Sequence, residues 1–217
     1  MAYPTVNAPY GFKPINLIGG LPFAGATRQI PIASSYGTAI YNGDVVQYTT
    51  DGTLIITTLQ NQVTNASAAL TTLPGVVGVF LGCSYTNPTT KQKLFSQYYP
   101  GGVAASDIMA YVADDPNALF KVVNCTSAVA DDAAGGLLPA FVSRANSVNT
   151  NAQLVLNTGV ATTGNSRMGV YINNVTSALP FRVVDVVPET ANSSGNFVEF
   201  IVKFNAMYHT YTSSVGT

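Results

Sequence analysis

The run Gly75–Tyr85, Gly-Val-Val-Gly-Val-Phe-Leu-Gly-Cys-Ser-Tyr, constrains this chain more than any other stretch of it. Val77, Val79, Leu81, Cys83 and Tyr85 share one parity and Gly78, Phe80 and Gly82 the other, which is the period of two that a pleated strand imposes. The run therefore predicts a strand with one bulky face and one nearly bare face. Glycine packs nothing and costs entropy inside a strand, so the pair around Phe80 predicts that another backbone or a ring lies close. Farther on, Ile108–Val112 leads into Asp114-Asp115-Pro116-Asn117. Proline fixes φ and donates no hydrogen bond, and Asp and Asn bond their own backbone, so the strand stops and turns there. Leu119–Val123 then returns as its partner.

Similar signals recur along the chain. Asp44–Tyr48 and Thr53–Thr58 flank Asp51-Gly52, a favoured hairpin turn, and Gly43-Asp44 opens the first strand with a bend. Residues 60–72 read as a polar loop, and Tyr85–Asp107 as a long connection whose aromatic content suits either a contact surface or a loop folded onto the core. Asp131-Asp132 with Gly135-Gly136 marks a turn before an apolar stretch at Leu137–Val142. Strands are expected near Gln153–Leu156, Met168–Ile172 and Phe181–Val187. The last, Phe197–Tyr208, places Val198, Phe200, Val202, Phe204 and Tyr208 on one side and Glu199, Lys203 and Asn205 on the other, as in an antiparallel sheet with one wet face. Short strands with turns between them and no helical period point to an all-β fold, an antiparallel sandwich or barrel with little helix.

The first 35 residues differ from the rest. Pro4, Pro9, Pro14, Pro22 and Pro31 alternate with Gly11, Gly19, Gly20 and Gly25. No helix survives that spacing, and proline interrupts a ladder. Tyr10, Phe12, Ile15, Leu17 and Phe23 are nevertheless too apolar for a free tail. The expectation is an extended N-terminal arm over residues 1–35, lying either on its own domain or on a neighbouring subunit, followed by a single β domain over residues 36–217. Those five side chains are the expected contacts of the arm with a partner or a neighbouring subunit.

Composition narrows the function. Hydrophobic residues make up 47% of the 217 and charged residues only 9%, where about 25% charged is usual. A net charge of −1 without basic clusters argues against nucleic acid as a partner, and no apolar run is long enough to span a bilayer. No signal peptide is visible, so Cys83 and Cys125 are expected to be buried free thiols of a chain made in a reducing cytoplasm. The sequons at Asn65, Asn124, Asn174 and Asn192 are what chance supplies in a chain rich in Asn, Ser and Thr.

Catalytic chemistry finds little support. The single histidine, His209, has no acid or nucleophile beside it and reads as a surface residue near the C-terminal end. No nucleophile elbow, zinc-protease motif or phosphate loop occurs. One His and two separated Cys do not make a tetrahedral metal set, so no metal or cofactor is expected and the chain reads as a non-enzyme. Asp114-Asp115 and Asp131-Asp132 sit beside turn formers; a structural cation would take Asp115 and Asn117 with backbone carbonyls. The same acids are what a two-carboxylate glycosidase would need.

Taken together in order, Gly43–Val46 (Gly-Asp-Val-Val), Asp51–Thr53 (Asp-Gly-Thr), Gly78–Tyr85 (Gly-Val-Phe-Leu-Gly-Cys-Ser-Tyr), Tyr99–Gly102 (Tyr-Pro-Gly-Gly), Ala110–Asn117 (Ala-Tyr-Val-Ala-Asp-Asp-Pro-Asn) and Val202–Asn205 (Val-Lys-Phe-Asn) resemble a family of tailed-bacteriophage head decoration, or cement, proteins. The resemblance implies a virion structural protein on the outer surface of the head, made in the bacterial cytoplasm. Its implied partners are the major capsid protein and further copies of itself, as a homo-oligomer, a trimer, with Tyr10, Phe12, Ile15, Leu17 and Phe23 as the capsid or subunit contacts. The alternative is a carbohydrate- or receptor-binding β-domain of a phage tail or fibre, for which the twelve tyrosines would supply a groove.

Overall fold

The computed structural model of the chain describes residues 6, 8–59, 75–125, 143–172, 179–190 and 197–213. The loop expected at residues 60–72, the acidic turn and apolar stretch between 131 and 142, and the sequons at Asn65, Asn174 and Asn192 lie outside them.

The described chain is nearly all β. One antiparallel sheet comprises β1 (Lys13–Leu17), β8 (Ala118–Val123), β12 (Glu199–Phe204), β11 (Phe181–Val186), β9 (Asn151–Val155) and β10 (Gly169–Tyr171), in that spatial order. The second runs β2 (Arg28–Pro31), β7 (Met109–Ala113), β5 (Val76–Thr86), β3 (Val45–Tyr48), β4 (Leu54–Ile56), with β6 (Lys93–Ser96) also paired to β5. A four-residue helix, α1 (Arg144–Ser147), starts from Ser143, whose side chain accepts from the Asn146 N–H. A parallel bridge between Asn124 and Val170 curls β10 back toward the end of β8.

On the core side the expected alternation holds, with Val198 just before β12 and Phe200, Val202 and Phe204 within it entering the core between the sheets. They meet Phe120, Phe181 and Val183 from their own sheet and Val45, Val76 and Val79 from the other. The strand ends at Phe204, short of Tyr208, and the face expected to be wet is partly covered, Glu199 being only 6% exposed where Tyr10 lies against it. The outer face of the second sheet carries Val46, Val77, Phe80, Ala110 and Val112, and is covered by Ile32, Ile40, Tyr99, Ala105 and Ile108. The stretch Tyr85–Asp107 is thus not one long loop. Its first part folds back as β6 on Cys83–Thr86, and its second part lies down on the sheet, with the Tyr99 hydroxyl donating to the Tyr36 carbonyl at 2.8 Å.

The strand that most constrained the sequence departs from a strict period of two. Val77 has no counterpart where β5 pairs with β3, and Leu81 none where it pairs with β7. Each is a bulge, and an extra residue re-aims every side chain beyond it. Val79 therefore points between the sheets, while Val77, Phe80, Cys83 and Tyr85 point to the outer face. The glycines do what their positions imply: a Cβ on Gly78 would lie 2.2 Å from the Ala113 carbonyl oxygen, and one on Gly82 would lie 2.9 Å from that of Ser96.

The N-terminal segment is part of the body. β1 pairs with β8, and β2 pairs with β7, so a boundary at residue 35 separates nothing in the described structure. Of the two surfaces open to an arm, it lies on its own domain. The physical reason is that β1 and β2 are edge strands, where proline costs no ladder bond: Pro14 sits beside a bulge and Pro31 ends β2.

Candidate functional site

The five contact residues expected from the sequence separate by depth. Phe12 is 0% exposed, stacks on Phe181 with centroids 4.8 Å apart and meets the edge of Phe120 at 6.4 Å. It is a core residue and offers no surface to a partner in this conformation, which corrects the expectation. Its backbone N–H donates to the Gly43 carbonyl at 3.0 Å, and that of Gly11 to Met168 at 3.1 Å. Leu17 and Phe23 are half-buried against the same core. Tyr10 is half-buried; its hydroxyl donates to Glu199, whose carboxylate also pairs with Lys121 at 3.1 Å. Lys13 Nζ lies 4.4 Å from the Tyr10 ring centroid. Burial, reinforced by the Glu199 carboxylate, pushes the phenol far above its ordinary range. Ile15 is half-buried in β1.

The apolar side chains that face solvent are others. Ile18 is 45% and Leu21 65% exposed. Both stand on a turn closed by the Leu17 N–H to the Leu21 carbonyl at 2.8 Å, with the Ile18 N–H bonded to the Asn117 carbonyl at 2.9 Å. Gly19 and Gly20 occupy the positive-φ positions (100° and 85°) that close this turn. From Pro14 to Thr27 no residue is charged, and Ala24–Gln29 is exposed throughout. The segment is an apolar finger. Phe95, on β6, is 76% exposed. The signals for these residues were present in the sequence: a Gly-Gly pair between two aliphatics, and a Phe alternating with Leu94, which points inward.

Below the finger, the β7–β8 turn gathers polar groups. Asp115 accepts from the Asn117 N–H at 2.8 Å, the turn chemistry that the sequence implied, and among the described residues no three His, Cys, Asp or Glu cluster as metal ligands. Asp114 pairs with Arg28 at 2.9 Å and accepts from the Tyr211 hydroxyl at 3.0 Å; Arg28 also covers the Tyr211 ring at 4.8 Å. Behind Tyr211 lies His209, which is 0% exposed and not the surface residue expected. A turn after β12 and an isolated bridge to the start of β5 carry it inward: Val76 donates to the Tyr208 carbonyl at 2.8 Å and accepts from the Thr210 N–H at 2.9 Å. Its Nδ1 accepts from the Tyr211 N–H at 3.3 Å. Burial pulls the imidazole below its ordinary pKa, against Asp114 and Asp115.

A cavity of about 240 Å³ opens at the mouth between the sheets. Ile56 and Thr57 line it from the end of β4, Leu156–Gly159 from beyond β9, and Tyr41 and Met168 from the two flanking connections. The Tyr41 ring stacks on Tyr98 at 5.5 Å and 9°, and Gly159 packs so close to it that a Cβ there would lie 2.3 Å from the ring. Both thiols are buried and free, and burial pushes each up to about 12, so neither is a nucleophile at neutral pH. Among the described residues no helix is long and apolar enough to cross a membrane. No known family model, curated protein or solved structure matches this chain.

Proposed function

We propose that the protein is a structural component of a phage virion, a decoration protein that binds the outer face of the head and stabilises the shell. The observation that carries this reading is the pairing of a very low charge, 9% of residues, with apolar side chains held out to solvent at Leu21 and Phe95 on an otherwise well-filled β body. Exposed apolar groups on a rigid frame suit adhesion to other proteins. The ordered motif resemblance supplies the identity of the partner, the major capsid protein, and of the assembly, a trimer. A protein that binds only the assembled shell shifts the equilibrium toward it by mass action, which needs adhesive surface and no catalytic group.

The carbohydrate-binding alternative draws less from the structure. A sugar ring needs an open aromatic face, and the Tyr41 ring at the cavity is already stacked on Tyr98 and packed close to Gly159, with Tyr98 itself close to Gly164, which narrows the face left to a sugar.

The test is co-sedimentation with emptied, expanded phage heads, with the free protein and unrelated icosahedral shells as controls. Saturable pelleting with the heads alone is expected. Protein that stays in the supernatant at all ratios, while binding selectively on a glycan array, would overturn the reading in favour of the alternative.

A further inference from the structure

The described residues form both an apolar knob and an open apolar hole. The knob is Leu21 with Ile18, at the tip of the finger between β1 and β2. The hole is the cavity of about 240 Å³ walled by Tyr41, Ile56, Leu156 and Met168, with Thr38 and Ala39 at its lip. A cavity of roughly 150 Å³ is enough to take a benzene-sized group, so this one has room for a leucine side chain.

We infer that the finger of one copy docks into the mouth between the sheets of a second copy, with Leu21 as the inserted side chain. The inference rests on the reading of the protein as a self-associating structural component and names the contact. Two observations single out this occupant. None of the residues lining the cavity is charged, and no residue from Pro14 to Thr27 is charged, so the contact buries no charge and leaves none unpaired. The glycine turn also holds Leu21 clear of its own body, as entry into a concave site requires.

A knob and a hole at different places on one chain make a heterologous contact. Such contacts close into a ring when the rotation between copies allows it and run into a filament when it does not.

Two surface substitutions test this separately. Leu21→Asp removes the knob, and Thr38→Trp, at an exposed position on the lip, blocks the hole; neither touches the core. Sedimentation velocity of the full chain, without shells, is expected to show an oligomer for the wild type. Each variant alone should associate at least about thirtyfold more weakly, as loss of a central apolar anchor does. Mixed together, they should form a one-to-one dimer, because Leu21→Asp keeps a hole and Thr38→Trp keeps a knob. A wild type that is monomeric at about 100 μM, variants that keep the wild-type mass, or a mixture that yields no dimer would each overturn the inference. Because no shell is present, these outcomes are independent of head binding, and Leu21→Asp pelleting with heads would leave the proposed function standing by itself.

Discussion

Replacing Asp44 with asparagine should change how stability depends on pH, and the size of the change can be worked from the structure. Asp44 is 1% exposed, immediately before β3, where the chain passes between the sheets. Its Oδ2 accepts from the Tyr41 N–H at 2.8 Å, while Oδ1 has no hydrogen-bond partner among the described residues. Burial, only partly offset by the Ser166 hydroxyl and the Tyr41 N–H, pushes the carboxyl up from 3.8 to about 6. The folded chain therefore holds this proton more tightly than the unfolded chain does. Below about pH 4 both states are protonated and the group costs nothing; between about 4 and 6 the unfolded state ionises first, and stability falls as pH rises. At about 1.4 kcal/mol for each pH unit, that rise amounts to about 3 kcal/mol of stability lost by pH 7. Asparagine keeps an acceptor for the Tyr41 N–H and cannot ionise. Urea denaturation at pH 4, 5, 6 and 7, followed by circular dichroism, is expected to show Asp44→Asn gaining about 2.5 kcal/mol on the wild type between the two ends of that range. Taking the difference between the two proteins cancels every other titrating group. A difference that stays constant within about 0.5 kcal/mol from pH 4 to 7 would refute the reasoning.

Two further substitutions probe the N-terminal segment and the C-terminal clasp. Phe12→Ala should cost about 3–5 kcal/mol in urea denaturation, the result of emptying an aromatic site between Phe120 and Phe181; a loss below about 1 kcal/mol would mean that the segment is not seated in the core. His209 works in the opposite direction to Asp44. Its folded pKa is depressed, so its contribution is complete above the unfolded value near 6.5 and is lost as pH falls. His209→Gln should accordingly flatten the acid side of the stability profile relative to the wild type, and parallel profiles below pH 6.5 would contradict that.

The fold was legible wherever one residue type settles one local geometry. Asp51-Gly52 closes the β3–β4 hairpin, Asp115 and Asn117 make the β7–β8 turn, and the alternation of Val198, Phe200, Val202 and Phe204 marks a core-facing edge of β12. What was not legible depends on pairing partners that lie far away in sequence. The bulges at Val77 and Leu81 exist only relative to β3 and β7, and without them Val77 and Val79 must be assigned to one face. Proline at 14 and 31 is compatible with a free arm and equally with an edge strand; the choice falls to β8 and β7, which offer open edges. The same ambiguity governs the site. Hydrophobicity alone ranked Phe12 with Leu17 as contact residues, yet Gly11 and Gly43 approach closely enough for the Phe12 N–H to bond Gly43 and draw that ring inside. Leu21, four residues beyond Leu17 and past two glycines with positive φ, is turned outward. Backbone conformation at two glycine pairs, and not side-chain hydrophobicity, thus decides which apolar residues hold this protein together and which face solvent.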